Sequence, residues 1–130
     1  MNQRPKQTLQ TIQKKAWGQS TSIDLHKCDK KFLTSKEILA DFIKKICDEI
    51  GMVRYGDPII ARFGDGDLEG YSAMQFIHTS TVVVHLDEFA DRAFIDIFSC
   101  KEFNDKKAVD FCKNFFKAKE VKFNTLSRGD

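Results

Sequence analysis

The chain has 130 residues, 42% of them hydrophobic and twelve of them phenylalanine, which is enough to bury one domain-sized core and excludes global disorder. Its 21 basic and 19 acidic residues leave a formal net charge of +2, a balance that demands neither nucleic acid nor an anionic membrane as partner. No run approaches the roughly 18 apolar residues that span a bilayer, and the N-terminus lacks a signal-peptide core, so the expected location is the cytoplasm.

Residues 1–17 are polar and carry Arg4, Pro5, Lys6, Lys14 and Lys15. They read as a solvated arm in which a short helix can start near Thr8. Residues 20–27 alternate, with Thr21, Ile23 and Leu25 against Ser22, Asp24 and His26, the pattern of a strand buried on one face. A turn follows at Cys28–Lys31. Thr34-Ser35-Lys36-Glu37 reads as a capping box with Thr34 as the cap. Behind it, Ile38, Leu39, Phe42, Ile43, Ile46, Cys47 and Ile50 form one stripe of helical period, and Gly51 supplies the stop.

Residues 58–63 read as a strand, and 64–70 as a solvated turn. The acidic residues of that turn fit a calcium loop poorly, because a leucine occupies a ligand position. Strands are predicted at 71–78, 80–86 and 92–99, with Ala93, Ile95 and Ile97 on one face and Phe94, Asp96 and Phe98 on the other. A second amphipathic helix spans 105–118 with Asn104 as its cap. A last short strand covers 121–125, so the domain is expected over 18–126 with a tail at 127–130. The order β-α-β-β-β-β-α-β with short connections predicts an α+β fold: a two-layer antiparallel sheet with two helices on one face. The uncovered face wants a partner, and a homodimer is expected.

The four cysteines, Cys28, Cys47, Cys100 and Cys112, form no C-x-x-C pair and no zinc-finger spacing with histidines. They read as reduced, buried thiols, and no metal site is expected. No nucleotide loop or nucleophile elbow is present. What remains near the middle is a loose set of Ser72, Ser80, His85 and Cys100, each an ordinary residue for a strand when taken alone.

A longer pattern runs through that set. Ser80-Thr-Val-Val-Val-His85 and, eleven residues on, Asp96-Ile-Phe-Ser-Cys100 resemble the cleavage and catalytic region of prokaryotic S-adenosylmethionine decarboxylases, which are pyruvoyl enzymes. There the pattern is Glu-Ser-His, three mostly apolar residues, His-Thr-Trp-Pro-Glu, then Asp-hydrophobic-Phe-Thr-Cys. Gly70-Tyr-Ser72 resembles the family's Gly-hydrophobic-Ser in the same register, and Gly18, Asp24 and Cys28-Asp29 also fall in place. The resemblance covers about residues 17–125. The chain departs from it at Thr79 and Thr81, which flank the serine where the family has Glu and His. It departs again at Leu86-Asp87-Glu88-Phe89, which replaces Thr-Trp-Pro-Glu.

The resemblance implies protomers paired into an αββα sandwich. It implies self-cleavage between Thr79 and Ser80, after which Ser80 becomes the pyruvoyl cofactor and forms a Schiff base with substrate. His85 would act in processing and proton transfer, Ser72 would assist processing, and Cys100 would be the proton donor. Glu88 and Phe89 are the candidates for substrate binding, with S-adenosylmethionine as substrate and spermidine synthesis as the destination of the product. Because the substrate-side pattern has changed, two alternatives stand beside this: a pyruvoyl decarboxylase of ornithine or arginine, and an uncleaved, non-enzymatic homologue that binds a decarboxylase. One tension is geometric. Ser80 and His85 are five residues apart, so a straight strand puts them on opposite faces. Either a kink or bulge is therefore expected near Thr79–Thr81, or the end freed by cleavage must swing.

Overall fold

The computed structural model describes residues 16–130, so nearly all of the expected arm lies outside the described residues. The elements follow the expected order: β1 (Gly18–His26), α1 (Lys36–Glu49), β2 (Ile59–Phe63), β3 (Gly70–Ile77), β4 (Ser80–Asp87), β5 (Arg92–Ser99), α2 (Asp105–Phe115) and β6 (Glu120–Arg128). The strands form one sheet in the order β2-β3-β4-β5-β1-β6. Every neighbouring pair is antiparallel. Beyond the hairpins, α1 carries the chain from β1 to the far edge of the sheet, and α2 returns it beside β1. The fold is α+β, as the alternating patterns predicted.

Both helices cover one face. Ile23 and Leu25, Ala73 and Ile77, Val82, Val84 and Leu86, and Ala93, Ile95 and Ile97 alternate along their strands and are buried. They meet Leu39, Phe42, Ile43, Ile46 and Cys47 of α1 and Ala108, Val109 and Cys112 of α2 in a single core. Phe42 is the hub between the helices, with its ring centroid 4.7 Å from Phe116, 5.1 Å from Phe115 and 6.1 Å from Phe111. Such offset and tilted pairs add to what burial alone contributes.

Three expectations are corrected. The cap of α1 is Ser35, whose hydroxyl accepts from the Ile38 amide at 3.2 Å, while Thr34 instead donates to the Lys30 carbonyl. The helix starts one residue later than the capping-box spacing suggested, because the 3-10 turn at Lys30–Phe32 occupies Thr34. The last strand is longer than predicted. Ser127 and Arg128 pair with Gln19 and Gly18, so only Gly129 and Asp130 lie beyond it. Finally, β4 carries no bulge: from Ser80 onward it keeps an unbroken register with both β3 and β5. The anomaly is confined to Ser80 itself, which has φ of +151°.

Among the described residues no helix covers the other face of the sheet. In register across it lie Ser72, His85, Phe94 and Asp24, then Met74, Val83, Asp96 and Ser22, then Phe76, Thr81, Phe98 and Ser20. Ile59, Phe63, Met74, Phe76 and Leu126 leave large apolar surface exposed on this side. Among the described residues no helix is long and apolar enough to cross a membrane.

Candidate active site

The chemistry-bearing residues divide between the two ends of β4. At its start, β3 and β4 are joined by His78 and Thr79, and the Thr79 carbonyl accepts a hydrogen bond from the Cys100 amide at 2.8 Å. Ser80 follows, paired with Ser99 of β5. Its φ lies in a region that residues with a Cβ rarely adopt, at a cost of about 1–3 kcal/mol. Such a conformation persists only where its neighbours hold it. The anchors are the β5 ladder on one side and the Cys100 amide on the other.

Cys100 is half-buried, whereas Cys28, Cys47 and Cys112 are buried. Burial pushes the Cys47 thiol up to about 11, and burial with the nearby Asp91 charge does the same for Cys28. Burial pushes Cys112 up as well. These three thiols resist ionisation and are structural. Gly18 packs against Cys100: a Cβ there would lie 2.6 Å from the Ser99 carbonyl oxygen and 3.2 Å from the Cys100 Cα. Only glycine allows β1 to begin this close to the site.

Near the other end of β4, a hydrogen bond of 2.8 Å joins the Ser72 hydroxyl to Nδ1 of the exposed His85 on the open face. Their strands pair directly at these residues. Gly70 permits the approach of β3, since a Cβ at that position would meet the Leu86 carbonyl at 2.6 Å. Five residues of extended strand separate His85 from Ser80, about 16 Å. The structure thus joins Ser72 to His85, and Ser80 to Thr79 and Cys100, but keeps the two groups apart.

Glu88 and Phe89 lie in the turn after β4, at the His85 end. Phe89 is exposed. Glu88 is held by Arg62 through two hydrogen bonds, of 2.8 and 3.0 Å, and this fork keeps its carboxyl below the usual carboxylate range. Arg62 also bonds Glu69 at 3.0 Å and stacks 4.8 Å over the Tyr71 ring. Tyr71 shares the helix-covered face with Ala73, so the Glu88 carboxylate turns away from the side that carries Ser72 and His85.

Residues that the sequence did not single out support the Ser80 end. Ser99 is fully buried, and its hydroxyl donates to the Thr79 hydroxyl at 2.9 Å. Met52 receives the Thr79 hydroxyl at 3.4 Å. The available signal was a polar residue continuing the buried Ala93, Ile95, Ile97 register. Among the described residues no cluster of three or more His, Cys, Asp or Glu could hold a metal ion.

No curated protein matches the chain in sequence. The crystal structure of the adenosylmethionine decarboxylase from Aquifex aeolicus superimposes with a TM-score of 0.77 at 16% identity, covering 90% of this chain and 94% of that one. It shares the fold. The S-adenosylmethionine decarboxylase family matches in sequence over residues 19–129, which takes in both ends of β4 and every strand of the sheet. This chain therefore belongs to the S-adenosylmethionine decarboxylase family, whose members are carboxy-lyases.

Proposed function

We propose that the chain cleaves itself between Thr79 and Ser80 and then works in the cytoplasm as a pyruvoyl-dependent S-adenosylmethionine decarboxylase, supplying the aminopropyl donor for spermidine synthesis. The observation that carries this is the held peptide: a Thr79 carbonyl bonded by the Cys100 amide at 2.8 Å, followed by Ser80 at φ +151°. In this reading the Ser80 hydroxyl oxygen attacks the Thr79 carbonyl carbon. The C–N bond breaks as the C–O bond forms, and the hydroxyl proton passes to the Ser80 nitrogen. The Cys100 amide points at the oxygen where negative charge builds during the attack. Removal of the Ser80 α-proton then expels the Thr79 carboxylate, and water exchanges for ammonia to leave the pyruvoyl group at the head of residues 80–130. Thr79 contributes its backbone carbonyl, so the loss of the family's glutamate does not block the step.

Once formed, the pyruvoyl group supplies a carbonyl that accepts electrons as carbon dioxide leaves the substrate. Cys100, half-buried and tied to the peptide by its amide, returns a proton from its thiol to the product. His85 is the base for α-proton removal, held in orientation by Ser72. Within one chain it is too far from Ser80 to act. The proposed homodimer, formed through the open faces into an αββα sandwich, therefore enters the reading: the second copy brings its Ser72–His85 pair toward the Ser80 end, and the positive φ of Ser80 is where the chain departs from the face its register assigns. A second reading, decarboxylation of ornithine or arginine, is favoured by the Arg62–Glu88 fork, which leaves Glu88 without a free carboxylate for ribose hydroxyls.

The test is an intact mass spectrum of the purified protein. Two fragments, broken between Thr79 and Ser80 with the 80–130 piece blocked at its N-terminus, are expected. A single 15.0 kDa species that persists through long incubation overturns the proposal and makes a binding homologue the better reading. Carbon dioxide release from S-adenosylmethionine, compared with ornithine and arginine, then separates the two substrates.

A further inference from the structure

Around the peptide between Thr79 and Ser80 runs a short hydrogen-bond network with a backbone donor at one end and a thioether acceptor at the other, which both the Thr79 hydroxyl (3.4 Å) and the Ser99 hydroxyl (4.0 Å) reach. The Lys101 backbone N–H can only donate, and it does so to the Ser99 hydroxyl at 3.0 Å. The Ser99 hydroxyl donates to the Thr79 hydroxyl at 2.9 Å, and the Thr79 hydroxyl donates to the Met52 thioether at 3.4 Å. The thioether can only accept, so the network ends there. Ser99 is fully buried and Met52 nearly so. A buried hydroxyl with every role filled is fixed in place, and leaving one partner unmet would be costly.

We infer that Ser99 is a positioning residue for self-cleavage: its hydroxyl grips the Thr79 side chain and holds the peptide between Thr79 and Ser80 in its strained, reactive conformation. This rests on the self-cleavage reading above. The strain at Ser80 persists only if both flanks of the peptide are anchored. The Ser80 flank is tied to β5 by the ladder. On the other flank the Cys100 amide fixes the carbonyl oxygen but leaves the residue free to pivot about that bond. The Ser99–Thr79 contact is a second point, and two points remove the pivot. It also accounts for a departure in the sequence. Thr79 stands where the resembled pattern has glutamate, and a threonine hydroxyl is short enough to meet the buried Ser99.

The test follows cleavage of freshly produced protein by intact mass in Ser99→Ala, Ser99→Thr, Thr79→Val and the double variant Ser99→Ala/Thr79→Val, with folding checked by circular dichroism. One hydrogen bond lost from the reactive conformation slows cleavage about tenfold. Ser99→Ala and Thr79→Val should each show that slowing, the double variant should be no slower than either, and Ser99→Thr should restore the rate. A merely structural role would not give this non-additive pair with rescue by a hydroxyl. Wild-type cleavage with Ser99→Ala at the wild-type rate overturns the grip alone and leaves self-cleavage standing. Absence of cleavage in the wild type overturns both. Should Ser99→Ala fail to fold, Thr79→Val decides, since Thr79 sits in a partly exposed turn; cleavage there at the wild-type rate overturns the inference.

Discussion

On β4, Val82, Val84 and Leu86 face the helices and are buried, whereas Thr81, Val83 and His85 stand one residue away on the other side and keep partial or full exposure. The two sets share a strand, a backbone conformation and a register. They differ in what lies opposite. The helix-covered face meets the buried stripes of α1 and α2 and closes into a single apolar core. The open face carries large apolar side chains beside a hydrogen-bonded Ser72–His85 pair and, among the described residues, is covered by no helix. One face therefore supplies stability, and the other holds the Ser72–His85 pair that the proposed homodimer would use.

The sharpest separation of the faces comes from Phe42→Ala. Phe42 is fully buried between the helices, and its truncation should cost about 3–5 kcal/mol, seen as a lower urea midpoint. A loss below about 1 kcal/mol would mean that the phenylalanine cluster collapses around the gap and contributes little as an arrangement.

Met74→Asp probes the opposite face. Met74 is 40% exposed on the open side, on the strand next to the β2 edge. In a single chain the change should alter stability by no more than about 0.5 kcal/mol. In the proposed homodimer it buries a charge, and dissociation in analytical ultracentrifugation should become at least about tenfold easier. A dimer of unchanged affinity would place the contact elsewhere and remove the trans-acting His85.

The mildest effect concerns the pH behaviour of the covered face. The Cys47 thiol ionises near 9.0 when unfolded and near 11 when buried. Its folded-state value is raised, so the contribution of the neutral thiol is fully present below about pH 9 and is lost as pH rises toward 11. The urea midpoint should fall across that window, and Cys47→Ala should flatten the fall relative to wild type. Identical slopes would show that the buried thiol is not what couples stability to alkaline pH.

How far the sequence could be read depended on the range of each interaction. The helical stripe from Ile38 to Ile50 and the alternation along β1 and β5 are local patterns, and they predicted the helices, the strands and the buried faces. The cap of α1 was missed by one residue because Thr34 is engaged by a turn whose geometry no spacing rule contains. The pairing of Ser72 with His85 became visible once both were placed on adjacent antiparallel strands. The grip of Ser99 on Thr79 was not legible, although Ser99 itself broke an apolar register. Its partner lies twenty residues away in a hairpin.

From sequence alone came the α+β class, the face each strand buries, and the residues Ser72, Ser80, His85 and Cys100 as a set worth relating to one another. These follow from side-chain periodicity and from a family pattern, both written along the chain. Only the tertiary structure decided that Ser80 and His85 sit at opposite ends of a straight strand, that Glu88 is claimed by Arg62, and that the strain is held at one residue. Such relations depend on which strands become neighbours. The order β2-β3-β4-β5-β1-β6 is settled by how two helices pack over one shared core, which no local pattern encodes.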